Sequence, residues 1–358
     1  MIKFHKSPKV AIVKTSFEDN HSSGWNPVWI KFCKDYNIEY EVIDWRSINA
    51  FERLSKHDIV LWHYSHYSSD EMLFAANILS ALKMTGCRVF PDLPDSQHFD
   101  DKVAQSYFIK ALGLGSPQNF SLHSTAAVEE WIKTENKFPV VAKLRTGSGS
   151  QNVQLIESAK ELRKYSKTMF RSGIKSIPSF SLKLKSNVLS VKSLGDFFSR
   201  MRRVPEFIFS RNQAKLLPVE KGYVYLQEFI PDVDYDLKIA IVGNKLSFVA
   251  RGTRPGEFRA SGSGSLFYDK SLMNPAIIKA AFTAYDALNS DCTGLDMIMD
   301  PRTNKPVILE ISYGFSHTAQ INANGHFDRA GNWVEEPLNP PYELLKNLIS
   351  EVSVKKDY

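Results

Sequence analysis

The chain has 358 residues, 43% of them hydrophobic and 23% charged, a balance that excludes a disordered or collagen-like polymer. Its length accommodates two or three domains of ~100–200 residues each. The net charge of +6 is mild and favours acidic small molecules at least as much as nucleic acid. Taken in chain order, KVAIVKT (9–15) is a short apolar run that reads as a strand. NPVWIKFCKDYN (26–37) then spaces apolar residues as a helix does. EYEVIDW (39–45), DIVLWH (58–63) and CRVFP (87–91) read as further strands, with an amphipathic helix over 69–86. Strands alternating with helices in this rhythm predict βαβ units around a parallel sheet. A helix over 98–113 is closed by Gly113. Residues 117–156 give strand, helix, strand, glycine-rich turn and strand.

From 223 onward strands dominate: YVYLQEFI (223–230), then two long runs within 236–252, a helix at 274–289, and a hairpin of GLDMIMD and PVILEIS joined by PRTNK. A closing helix at 338–352 begins after two prolines. Between these halves, residues 163–221 carry fourteen lysines and arginines against three acids, so the chain's basic excess belongs to that one segment. Cys33, Cys87 and Cys292 lie far apart, which excludes a disulfide framework and a CxxC metal knuckle and fits a reducing, cytoplasmic setting. Neither an apolar leader after Met1 nor a run of ~18 uncharged apolar residues is evident, so no membrane span is expected.

Four segments carry chemistry. In FPVVAKLRTGSGSQNVQLI (138–156), Lys143 ends a strand just before Gly147, Ser148 and Gly149. Small residues let backbone N–H groups approach phosphate oxygens while a lysine supplies charge; an ordinary flexible turn has the same appearance. VYLQEFI (224–230) is an apolar strand ending in Gln227 and Glu228, by default an ordinary buried strand with an exposed acid, though its edge also suits an adenine. Residues 236–265 gather Lys238, Arg251, Arg254 and Arg259 near glycines, a phosphate- or carboxylate-binding set or a solvated basic loop. Asp296 and Glu310 lie inside apolar strands of one hairpin, where a carboxylate is costly unless paired or coordinating a cation. Two such acids at one end of neighbouring strands suit Mg²⁺ held jointly with phosphates.

The ordered set resembles the ATP-grasp superfamily over about residues 98–315, in the branch of glutathione synthetases and of the ligases that add glutamate to ribosomal protein tails. The fold it implies is α/β: a Rossmann-like N-terminal domain (1–97), a linking helix (98–116), a lid subdomain (117–227) with a basic insertion at about 163–221, and a C-terminal subdomain (228–358) with the metal site. The resemblance implies that Lys102 and Lys143 hold ATP phosphates under a loop of Gly147, Ser148 and Gly149. It places adenine at Glu228, Phe229 and Ile230 and a ribose contact at Asp236. Arg251 and Arg259 fall near the transferred phosphate and acyl group, and Asp296 and Glu310 bridge magnesium. The family usually reads Glu-x-Asn where this chain has Glu310-Ile311-Ser312, so the Ser312 hydroxyl would be a weaker third ligand.

The activity so implied is ATP- and Mg²⁺-dependent joining of a carboxylate to an amine through an acyl phosphate, with a small or glycan-linked acid as substrate and polysaccharide biosynthesis as a setting. An ATP-binding protein without ligase activity and a kinase acting on a hydroxyl are the alternatives. His63, at a predicted strand end, together with Lys238 and Tyr313, are candidate substrate contacts. The resemblance is compatible with a homodimer, and the basic segment with a peripheral membrane contact; nucleic acid is not an expected partner because no aromatic stacking series accompanies the charges.

Overall fold

The computed structural model describes residues 8–15, 23–65, 68–147, 152–175, 216, 218–253 and 265–355. Ser148, Gly149, Arg259 and most of the basic insertion lie outside them.

The N-terminal region is built from β1 (Val10–Lys14), α1 (Asn26–Asp35), β2 (Tyr40–Asp44), α2 (Ala50–Leu54), β3 (Ile59–Leu61), α3 (Ser69–Met84) and β4 (Arg88–Phe90). Its four strands are all parallel, in the order β2-β1-β3-β4. Val10, Ala11, Ile12 and Val13 are wholly buried, as expected of a parallel strand covered on both faces. An aromatic cluster that includes Trp25, Trp29, Phe90 and Tyr313 fills one side of this core, and Leu344, Leu345, Leu348 and Ile349 of the last helix join it.

The helix expected over 98–113 begins four residues later than predicted, and His98 belongs to a separate preceding helix. α4 (Leu93–His98) ends at Phe99, and α5 (Lys102–Ala111) restarts after Asp100, which adopts a left-handed backbone with φ of 50°. Asp101 caps α5, accepting from the Ala104 amide at 2.9 Å. Gly113, with φ of 65°, follows the helix end as expected.

A second sheet contains β5 (Asn119–Leu122), β6 (Val140–Lys143), β7 (Val153–Ile156) and β10 (Val224–Glu228), antiparallel in the order β5-β10-β6-β7. It packs α6 (Thr125–Thr134) and α7 (Ala159–Phe170) through Val128, Trp131, Leu162 and Met169. α7 corrects the expected start of the insertion at 163. Leu162, Tyr165 and Met169 are core residues, so this helix belongs to the sheet. The short antiparallel pair β8 (Ile174–Lys175) and β9 (Val219–Glu220) brackets the intervening segment instead. The hinge strand is also shorter than its apolar run, leaving Phe229 and Ile230 beyond its end.

The third sheet has β11 (Tyr235–Val242), β12 (Lys245–Gly252), β14 (Thr293–Asp300) and β15 (Lys305–Ser312) at its centre, ordered β15-β14-β11-β12. Short strands β13 (Leu266–Phe267), β16 (His326–Phe327) and β17 (Trp333–Val334) extend it. Helix α8 (Pro275–Leu288), capped by Asn274, covers one face through Ile277, Ala281 and Phe282. α9 (His317–Ile321) and α10 (Pro340–Lys355) complete the chain.

Alternation along β11 positions the site. Leu237, Ile239 and Ile241 point to the α8 core, while Ala240 and Val242 on the other face join the N-terminal core. Further along that second face stand Lys238 and Asp236. The face thus turns from apolar to charged within one strand.

Candidate active site

Register across the third sheet collects the charges. Asp236 lies opposite Arg251, Lys238 opposite Asp296, and Asp296 opposite Glu310, so four adjacent strands contribute to one charged face. Glu310 reaches that face through a β-bulge. Leu295 pairs with Ile311 and Met297 with Ile308, all four in the α8 core, whereas the register shifts between Asp296 and Met297 and leaves Leu309 as the extra residue. Strict alternation would have put Ile308 and Glu310 on one face; the bulge separates them.

The ion pairs are short. Arg251 grips Asp236 with Nε and Nη2, at 2.6 and 2.8 Å, and Nη2 also donates to Asp296 Oδ2 at 2.7 Å. Lys238 Nζ stands 2.8 Å from Asp296 Oδ1. Burial alone would raise the Asp296 pKa, but Arg251 and Lys238 override it and hold the carboxyl far below the usual range. For Asp236 burial prevails over Arg251, and its pKa is raised.

The second sheet and α5 bring the remaining groups. Lys102 is the first residue of α5; its backbone N–H donates to the Arg145 carbonyl at 2.9 Å, and its Nζ donates to the Gly147 carbonyl at 2.6 Å. That Nζ is 3.6 Å from Asp100 and 3.8 Å from Glu310. Burial opposes the Lys102 charge, but Glu310 and Asp100 outweigh it and raise the pKa. Lys143, at the end of β6, donates to Gln227 Oε1 on β10. Gln227 is oriented for this because its amide donates to Asn119 Oδ1 at 3.0 Å. Burial lowers the Lys143 pKa to about 8, with Lys102 adding to the effect and Glu310 and Asp296 opposing it. Lys102, Lys143, Asp296 and Glu310 therefore share one electrostatic environment between the two sheets.

Several expected residues are differently engaged. Glu228 ends β10, and its carboxylate accepts from Arg302 at 2.8 Å and from the Gln118 amide at 3.1 Å. Arg302 also holds Asp300 at 2.8–2.9 Å, tying the hinge to the β14–β15 turn. The Ser312 hydroxyl donates to the Gly314 carbonyl at 2.9 Å and accepts the Gly314 amide at 3.1 Å, so it serves its own turn. His63 stacks on Trp25 at 4.3 Å between centroids, and Tyr313 donates to the Tyr64 carbonyl at 2.9 Å. The two rings lie 6.0 Å apart, and both side chains are buried.

Three residues that the sequence reading did not single out shape the site. Gln105 of α5 bonds both backbone groups of Ile311, at 2.7 and 3.1 Å, and so joins the Lys102 helix to the Glu310 strand as a ladder would. Arg145 bridges Asp101 at 2.9 Å and Glu220 at 3.2 Å. Asp100 accepts the Gly147 amide at 3.0 and 3.1 Å. The Asp100-Asp101 pair before Lys102 was a legible cap signal for Asp101; nothing local marks Gln105.

Asp296 and Glu310 fit a hard divalent cation: they are facing oxygen donors, and Asp296 is held ionised. Among the described residues no group of three or more His, Cys, Asp or Glu side chains that could hold a metal ion occurs.

No protein-family model and no curated protein matches the sequence. Solved structures do. D-cycloserine synthetase DcsG aligns with a TM-score of 0.57 at 13% identity, covering 96% of this chain and 99% of that one. D-alanine–D-alanine ligase from Bacillus anthracis gives 0.56 at 14%, covering 98% of each chain, and its ATP complex gives 0.54 at 13%, again covering 98% of each. A RimK-domain ATP-grasp protein from Sphaerobacter thermophilus gives 0.54 at 11%, covering 95% and 99%. The chain thus has the mixed α/β ATP-grasp fold over nearly its whole length. Among the described residues no helix is long and apolar enough to cross a membrane.

Proposed function

We propose that this protein is an ATP- and magnesium-dependent ligase that joins a carboxylate to an amine. The reading is carried by one observation: Lys102 and Lys143 from one side, and Asp296 and Glu310 from the other, meet in a single electrostatic environment. The N-terminal parallel sheet is read as the Rossmann-like domain, with the lid and C-terminal subdomains dividing near 227. In the reaction, an oxygen of the substrate carboxylate attacks the γ-phosphorus of ATP, ADP leaves, and an acyl phosphate forms. The amine then attacks the acyl carbon, phosphate departs with the C–O bond electrons, and the nitrogen gives up one proton to the departing phosphate or to solvent.

The residues bind and neutralise more than they react, as phosphoryl transfer requires. Lys102 and Lys143 hold phosphate oxygens. Phe229 and Ile230 present their backbone to adenine while Glu228, anchored by Arg302, sets the hinge. Asp236 is read as the brace that orients Arg251 rather than as a ribose contact. Arg251 and Lys238 fix Asp296 and balance its charge, and the role of stabilising the developing acyl oxyanion is assigned to Arg259. Asp296 and Glu310 would hold magnesium, which would supply Lewis-acid neutralisation of the transferring phosphoryl group. Ser312 contributes no ligand in this reading, being committed to Gly314.

The test is an ADP-release screen of candidate acids and amines followed by product analysis. A ligase yields ADP, phosphate and an amide. A phosphomonoester with ADP would make it a kinase, and no ADP would make it a binding protein. The Lys143 charge gives the reading a pH signature. With its pKa near 8, Lys143 is cationic below that pH and neutral above it, so ATP affinity is expected to fall as pH rises from 7.5 to 9. Titration calorimetry should also register proton uptake on binding in that window. Lys143→Arg, whose guanidinium stays charged, should flatten the profile.

The acid is proposed to be large and anionic, such as a uronic-acid-containing acceptor in polysaccharide biosynthesis, gathered by the basic segment in a cytoplasmic enzyme. The charge of that segment in the sequence supports this. Neutralising Arg200, Arg202 and Arg203 together should raise KM for the acid several-fold at low salt, with ATP affinity constant. The difference should fade at physiological salt, where the Debye length is ~8 Å. An unchanged KM at low salt would exclude recruitment through these charges.

A further inference from the structure

Asp100 has no part in the scheme above, yet it occupies the centre of the phosphate-facing apparatus. It is only 8% exposed, and it sits between two helices in the left-handed backbone conformation, φ 50°, that asparagine and aspartate tolerate better than other side chains. Both of its oxygens accept the single Gly147 N–H, at 3.0 and 3.1 Å. Lys102 Nζ stands 3.6 Å from Oδ1 and is itself bonded to the Gly147 carbonyl.

A backbone N–H from a glycine turn together with a lysine ammonium is the donor set that receives a phosphate oxygen. Here a carboxylate already fills it. One N–H cannot serve a carboxylate with both its oxygens and a phosphate as well. The carboxylate also adds a buried negative charge where Glu310 already stands 3.8 Å from the same lysine. Like charge in a buried, poorly screened setting repels an incoming polyanion over several ångströms.

We infer that Asp100 is an internal stand-in for a nucleotide phosphate: its carboxylate occupies the Gly147 amide and the Lys102 charge in the free protein, competes with the phosphates, and thereby sets ATP affinity. This rests on the ligase reading only in taking Lys102 and the 147 turn as the phosphate side. Asp100 is an affinity-determining residue, not a catalytic one. Its service to the free protein is to keep the turn and the lysine satisfied while no phosphate is present.

The test compares nucleotides. In calorimetry on the full chain with Mg²⁺, Asp100→Asn keeps the volume and an oxygen acceptor but removes the charge. ATP and ADP are expected to bind about tenfold more tightly, a change of about 1.4 kcal/mol, while adenosine affinity stays the same. A general loosening or tightening of the fold would move all three alike. Equal or weaker ATP binding in the variant would overturn the inference and make Asp100 a brace for the turn. The parent protein supplies a second measurement that does not depend on how the variant folds. Addition of ATP should shift the Asp100 carboxyl carbon and the Gly147 amide resonance together, and an unmoved Asp100 signal in the ATP-bound parent would overturn the inference. If the parent binds no ATP at all, the ligase reading falls and the inference with it. If the parent binds ATP and Asp100→Asn binds it no more tightly, only the inference falls.

Discussion

Glu310→Gln is expected to abolish amide formation, by about a thousandfold or more, equivalent to ~4 kcal/mol at 1.36 kcal/mol per decade. The glutamine is close to isosteric, so packing around the bulge in β15 is preserved and the change is one of charge. Glu310 faces Asp296 directly across β14 and β15, and Asp296 is already committed to Arg251 and Lys238. Removing Glu310 would therefore leave the proposed cation site with one carboxylate whose charge Arg251 and Lys238 already balance. Adenosine binding should persist, because the hinge at 228–230 follows β10 in another sheet. The check is twofold: product release over time, and Mn²⁺ titration followed by paramagnetic resonance, in which the variant should lose metal affinity. Normal turnover at limiting Mg²⁺ would move the metal site elsewhere. Ser312→Asn is the companion variant. An amide reaches further than the hydroxyl that now closes on Gly314, and metal affinity should rise.

Lys143→Ala is expected to weaken ATP binding by 2–3 kcal/mol, about 30- to 150-fold in Kd, the usual cost of losing a charge-assisted contact. Calorimetry measures it directly. Thermal stability without nucleotide should not fall correspondingly. Burial holds the Lys143 pKa down at about 8, so below that pH the free protein carries a charge that folding disfavours, and truncation removes that burden. A variant with undiminished ATP affinity would take Lys143 out of the phosphate site. One that unfolds would make it a structural residue.

Much of the architecture follows from local pattern. The parallel N-terminal sheet was legible because Val10–Val13 must be apolar on both faces. The β14–β15 hairpin was legible because two apolar runs flank a polar turn, and α8 because Asn274-Pro275 opens it and Asn289 closes it. Asp296 and Glu310 stood out because a charge inside an apolar strand demands a partner, and Lys143 because it ends its strand just before a glycine-rich turn. The start of α5 did not stand out: apolar spacing carries the expected helix back to 98, where the chain instead ends α4 and passes through left-handed Asp100 before α5 begins.

What the sequence by itself determined is the order of elements and the chemical types held at strand ends, since propensity, alternation and desolvation act over a few residues. Tertiary structure alone decided which of those side chains work together. The bulge at Leu309 turns Glu310 onto the charged face, Gln105 ties its strand to α5 across 206 positions of sequence, and Arg302 claims Glu228. His63 stacks on Trp25 and Tyr313 bonds the Tyr64 carbonyl, contacts that local pattern did not announce. The physical reason is the same in each case. Register, bulges and long-range hydrogen bonds are set by how separate elements pack, and a side chain's partner is fixed only when the backbone that carries that partner has arrived.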